Sequence, residues 1–177
     1  MYTRKFAGVA VVLALGACAV APPAAGPNLG RAVTPDEIAG WDTSVMPDGT
    51  GLPAGSGTAA QGAKIYAQKC TACHGENGKG GSATALLPKS PITSINAAEK
   101  TIANFWPYST TLFDYIRRAM PWQAPKTLTS DEVYALTAYM LALNKVIGDN
   151  DTMNATTLPQ VRMPNRDGFI LRFPNRI

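Results

Sequence analysis

Cys70-Thr71-Ala72-Cys73-His74 decides the reading of this chain. C-x-x-C-H is the attachment sequence for haem c: two thiols separated by two residues reach the two vinyl groups of one porphyrin and form thioether bonds. The histidine that follows them meets the iron from the proximal side. Residue usage elsewhere agrees, since His74 is the one histidine of the chain and Cys18 its one other cysteine. Two other readings compete. A redox C-x-x-C has no need of the adjacent histidine, and a structural zinc site wants four ligands, which this chain does not easily supply.

The segment before the motif opens a helix. Thr58-Ala59-Ala60-Gln61 is a capping-box pattern and predicts a helix to about residue 70. Gly62 and Tyr66 lie four apart on one face of it; the glycine permits another helix to come close, with Tyr66 packed beside it. Residues 75–100 hold several glycines and little periodicity, and read as a loop around one haem edge. A further helix is predicted over residues 110–119, with Leu112, Phe113, Ile116 and Ala119 inward and Asp114, Arg117 and Arg118 toward solvent. Pro121 stops it. The last helix begins at a second capping box, Thr129-Ser130-Asp131-Glu132, and carries its apolar stripe on Val133, Leu136, Met140 and Leu143. It should run to about Val146 and end at Gly148. No strand pattern of useful length is present. Residues 58–147 therefore read as an all-α domain, small enough that haem must fill much of its core.

The iron needs a second ligand, and with no other histidine the natural candidate is a methionine. Met140 sits in a core stripe, where packing explains it. Met46, Met153 and Met163 lie outside the 58–147 domain. Met120, in Arg118-Ala119-Met120-Pro121, stands where a helix hands over to a proline-containing loop, a place from which a thioether can swing over the haem. His74 and Met120 are thus the expected metal ligands. A thioether opposite an imidazole raises the potential and fills both axial positions, which suits the movement of single electrons. Trp106, Tyr108 and Trp122 flank that helix, with two compatible roles: packing on the porphyrin and bonding its propionates. Solvated charge is the plainer reading of Arg117 and Arg118.

The start of the chain speaks to compartment. Arg4 and Lys5 precede an apolar run, residues 6–15, too short for an ordinary transmembrane helix. Residues 1–17 read as a secretory signal peptide of the lipoprotein type. Leu15-Gly16-Ala17-Cys18 resembles the bacterial lipobox, which makes Cys18 the expected lipidated residue and anchors the protein at a membrane facing the periplasm. The competing reading is ordinary cleavage after Ala19-Val20-Ala21, leaving a poor new start at Pro22. Residues 18–57 read as a tether and an irregular N-terminal extension that includes a short helix from Thr34-Pro35-Asp36-Glu37 to Trp41. Residues 148–177 read as an irregular C-terminal extension. The flanks are expected to wrap over the haem domain or a partner.

The formal net charge of +4 overstates any basic surface. Part of it is Arg4 and Lys5 in the leader, and Arg162, Arg166, Arg172 and Arg176 against Asp167 place most of the rest in the tail. The remainder is slightly acidic, which argues against a nucleic-acid partner.

Residues 58–147 resemble a class I cytochrome c in their order: helix, C-x-x-C-H, loop, Met-Pro, closing helix. Gly62 and Tyr66 match the positions where the first helix of that fold crosses the last, near Leu136, Tyr139 and Met140. More narrowly, the chain resembles the monohaem cytochrome subunit of Sox-type sulfite (sulfur) dehydrogenases. The matching stretches include Trp41-Asp42, Pro47-Asp48-Gly49, Trp106-Pro107-Tyr108-Ser109 through Met120-Pro121, and Met163-Pro164-Asn165-Arg166-Asp167-Gly168. The resemblance implies one covalent haem c on Cys70, Cys73 and His74. It also implies a molybdenum-containing sulfite or sulfur dehydrogenase subunit as electron donor, with no catalysis on this chain. Some family members carry a second haem, whereas this chain has a single C-x-x-C-H. The alternatives are a general membrane-tethered carrier serving another dehydrogenase, a terminal oxidase or another redox protein, and, further off, a small haem enzyme or sensor.

Overall fold

A computed structural model describes residues 29–88 and 99–170. The leader, Cys18, most of the tether and residues 89–98 of the expected haem-edge loop lie outside the described residues. Helix α1 (Pro35–Trp41) starts as its sequence dictates: the Glu37 carboxylate accepts from the Thr34 N–H at 2.9 Å, and Thr34 Oγ1 accepts from the Glu37 N–H at 3.3 Å. The chain divides into two units after Ile38, and every later element belongs to the second.

Thr58 caps α2 (Ala59–Lys69) through the capping box with Gln61, and α3 (Thr71–His74) follows across Cys70. A one-turn helix, α4 (Ile102–Phe105), is capped by Thr101 and Asn104. Its sequence carries too few periodic positions to have announced it. Then come α5 (Ser109–Ala119) and α6 (Ser130–Leu143), the latter capped by Thr129 and Glu132. The strands Ser56–Thr58 (β1) and Thr152–Asn154 (β2) form an antiparallel pair with Gly57 opposite Met153. At three residues each, they are too short for alternation to reveal.

The crossing of α2 and α6 organises the unit. Gly62 lies so close to α6 that a Cβ there would sit 2.0 Å from the Ala135 carbonyl oxygen. Beside it the rings of Tyr66 and Tyr139 pack at 5.3 Å. Lys69 and Glu132 close the crossing with an ion pair at 2.7 Å. The same Glu132 carboxylate accepts from the Thr129 N–H, and the two partners, Lys69 first, hold its carboxyl below the usual value.

Helix α6 is more deeply embedded than a four-residue stripe implies. Val133 to Ala138 in sequence, then Met140, Leu141 and Ala142, are all buried. A helix apolar on every side needs cover on every side. One cover is α2; another comes from the segments that the sequence reads as extensions. Tyr134 donates its hydroxyl to the Pro53 carbonyl at 2.9 Å, and a Cβ on Gly57 would meet the Ala135 backbone nitrogen at 2.2 Å. Met153, Leu158 and Met163 join the same core, so the first and last of these, read as outside the domain, are packing residues within it.

Two local expectations are corrected. Asp114 is buried instead of facing solvent, paired with Arg118 on a face where Thr110 Oγ1 reaches the Pro47 carbonyl at 3.5 Å, so the N-terminal flank lies over that face. Helix α6 ends at Leu143, short of Val146 and Gly148, because the Asn144 side chain donates back to the Met140 carbonyl at 2.8 Å and Lys145 turns into the left-handed region at φ 60°.

Leu158 is fully buried. Leu158→Ala is therefore expected to cost about 2–5 kcal/mol, as for a leucine inside any close-packed core. Denaturant unfolding measures it, and a loss below about 1 kcal/mol would mean that the C-terminal segment only rests on the surface.

Candidate haem site

The chain turns sharply after α2. The N–H groups of Cys73 and His74 both donate to the Cys70 carbonyl, at 3.2 and 3.0 Å, which winds the five motif residues into a single turn. Cys70 and Cys73, three apart on that turn, come to one face. Gly75 ends it at φ 73°, with no room for a side chain: a Cβ would lie 1.9 Å from the Lys79 carbonyl oxygen. The Tyr66 hydroxyl donates to the Gly75 carbonyl at 2.9 Å and so ties the turn to α2, and burial pushes that phenol up to about 12.

Cys70, Cys73, His74 and Met120 all line one cavity of about 520 Å³. His74 Nδ1 lies 3.3 Å from the Thr84 carbonyl. A ring that donates there keeps Nε2 free for a metal, the usual way a ligand histidine is oriented. Met120 follows the last residue of α5 with extended backbone (φ −116°, ψ 149°), its N–H still held by the Ile116 carbonyl. Pro121 comes next through a cis peptide. Among the methionines, Met140 also borders the cavity from the core of α6, whereas Met46, Met153 and Met163 do not.

Trp106 and Trp122 are on the wall; Tyr108 is not, and its ring carries the Arg166 guanidinium at 4.2 Å instead. Arg117 reaches the Thr43 carbonyl and Arg118 pairs with Asp114. Lys69 and Tyr115 are wall residues that sequence reasoning missed, whereas Lys100 and residues 82–86, within the loop read as running around one haem edge, are on the wall. Nothing periodic marks that stretch; it is placed by the Ala83 N–H donating to the Cys73 carbonyl at 2.8 Å.

The chemistry of this wall narrows the ligand. Burial pushes the Cys70 thiol up to about 11, the reverse of the depressed value that a thiol–disulfide nucleophile requires. Among the described residues no group of three or more His, Cys, Asp and Glu side chains is arranged to hold a metal ion, so the zinc reading lacks its ligands. Most of the lining is apolar, Lys69 and Lys100 supply positive charge, and none of the described carboxylates lines it. Such a wall suits a large apolar ring that bears carboxylates and reacts with two thiols.

The family model of cytochrome c matches residues 59–144. A chain in the crystal structure of the sulfane dehydrogenase SoxCD from Paracoccus pantotrophus is similar over more of the length. The two are 38% identical, with a TM-score of 0.76, and the match covers 81% of this chain and 71% of that one. The chain belongs to the cytochrome c family. Its helix-dominated architecture is the class I cytochrome c fold, and its prosthetic group is a covalently bound haem c, which the thiols, imidazole, thioether and apolar walls of the cavity fit. The work of a cytochrome c is electron transfer.

Proposed function

We propose that this cytochrome c takes single electrons from a molybdenum-containing sulfite or sulfur dehydrogenase in the periplasm, held at a membrane by a lipid on Cys18. Cys70 and Cys73 would hold the haem through thioethers, and His74 and Met120 would ligate its iron. The convergence of these four side chains on one cavity carries the site assignment. The likeness to a chain of a sulfane dehydrogenase supports the donor. When bound there, haem c supplies a one-electron couple. The protein's part is to orient His74 through Thr84, hold Met120 at the end of α5, and exclude water with the walls built from α4, α5 and α6. Oxidation of the sulfur substrate belongs to the partner.

Stopped-flow mixing tests this. With a competent sulfite- or sulfur-oxidising molybdenum enzyme and its substrate, the ferric cytochrome is expected to reduce in a reaction that saturates with enzyme concentration. If the haem stays ferric while the enzyme turns over with an artificial acceptor, the general-carrier reading takes its place.

A further inference from the structure

We propose that Asn165 and Arg166 are positioning residues of the haem site: from the C-terminal strap they hold in place the 105–109 stretch, which carries Trp106 of the cavity wall, and so keep water from the cofactor and its reduction potential high. This goes beyond the electron-transfer reading but rests on the same cavity.

Residues 106–108 join α4 to α5, with the Trp106 N–H still held by the Ile102 carbonyl at 3.3 Å. Trp106, which opens this link, lines the cavity, as do Lys100 to Ile102 before it and Leu112, Tyr115 and Ile116 after. The Trp106 backbone is extended (φ −72°, ψ 128°), and its ring is braced by the edge of Tyr115 at 5.6 Å. An irregular backbone of this kind needs outside partners for its polar groups.

The strap supplies them. Asn165 Nδ2 donates to the Phe105 carbonyl at 2.6 Å, satisfying a carbonyl at the end of α4. The Arg166 guanidinium sits over the Tyr108 ring, and Tyr108 and Arg162 form an isolated antiparallel bridge. Ser109 Oγ donates to the Leu158 carbonyl at 2.6 Å, and the Phe169 ring meets Phe105 edge-on at 5.3 Å. On either side of Trp106, the chain that carries it is attached to one C-terminal segment. Its loosening admits water beside the cofactor, which favours the more highly charged oxidised form and lowers the potential.

Arg166 is exposed and Asn165 only half-buried, so replacing them leaves the core intact. The test uses the haem-loaded protein, the double variant Asn165→Ala/Arg166→Ala, and Asp167→Asn as a control. Asp167 pairs with Arg162 on the surface, where both side chains are exposed. In the double variant, amide hydrogen exchange over residues 101–109 is expected to speed up, while exchange in α2 and α6 stays as in the parent. At fixed ambient potential the ratio of reduced to oxidised protein should fall by about threefold to tenfold, tenfold being about 59 mV for a one-electron couple. The control should match the parent in both. Restoring Asn165 alone should recover part of the potential. Unchanged exchange over 101–109, or faster exchange with an unmoved potential, overturns the proposal. Parent protein that came out colourless would instead overturn the site assignment beneath it.

Discussion

Met120→Ala is expected to yield a coloured protein whose reduced form takes up carbon monoxide readily and whose potential has fallen. On the proposed attachment, the thioethers of Cys70 and Cys73 would still hold the haem, so colour survives, but the iron would lose the soft ligand that favours its ferrous state. The long-wavelength absorption band of methionine-to-iron ligation should vanish with it. A drop equivalent to at least about tenfold in the reduced-to-oxidised ratio, about 59 mV, is the size expected when this ligand is lost. Met140 makes the decisive comparison, because it is the other methionine on the cavity. It is buried at 3% exposure within α6, where its helical backbone fixes its direction, whereas Met120 lies past the end of α5 on extended backbone. Met140→Leu should therefore keep the band and resist carbon monoxide. If the band follows Met140 instead, the axial assignment is wrong.

The second large effect is on folding. Gly62→Val should abolish the yield of coloured protein, or lower stability by about 3 kcal/mol or more where any folds. The reason is that the obstacle is backbone. A Cβ on Gly62 meets the Ala135 carbonyl oxygen at 2.0 Å, its carbon at 2.6 Å and Tyr139 Cβ at 2.7 Å, so α6 itself has to move away. That displacement also pulls on Leu136 and Met140, which border the haem cavity. Against a total stability of about 5–15 kcal/mol, such a loss is severe. Gly40 is the contrast: a Cβ there meets nothing within 4 Å. Gly40→Ala should leave thermal unfolding and haem content close to those of the parent, and a comparable loss there would point to unfolded-state effects rather than to the crossing.

How much of this was legible beforehand depends on whether the signal was local. The capping boxes at Thr58 and Thr129 are local, and α2 and α6 begin where those patterns place them. Gly62 and Tyr66 announced a close crossing by spacing alone. The motif Cys70–His74 is local too, and Met120, singled out from few methionines by its place at a helix end, lines the same cavity. What stayed hidden is what depends on distant chain. Asp114 looks like a surface carboxylate until the 43–53 segment is laid over its face, and Met153 and Met163 look peripheral until β2 and the strap are docked. The near-complete burial of α6 was in fact written in its composition, since Tyr134, Ala135, Thr137, Ala138, Leu141 and Ala142 leave it little polar surface. The wall at 82–86 was legible only as part of a glycine-rich loop, because its course depends on backbone hydrogen bonds from Ala83 to Cys73 and from Leu86 to Gly78.

The antiparallel ladder of Ser56–Thr58 with Thr152–Asn154 also bears on how this chain can be divided. It fastens together two stretches that lie just outside residues 59–144, the span shared with cytochromes c in general. Excising that span as a free-standing module would strip Pro53 from Tyr134 and remove Leu158 and Met163 from the core, leaving an apolar helix flank bare. Autonomy in this cytochrome therefore belongs to a longer piece, whose two ends are knitted to each other before either leaves the haem-bearing body.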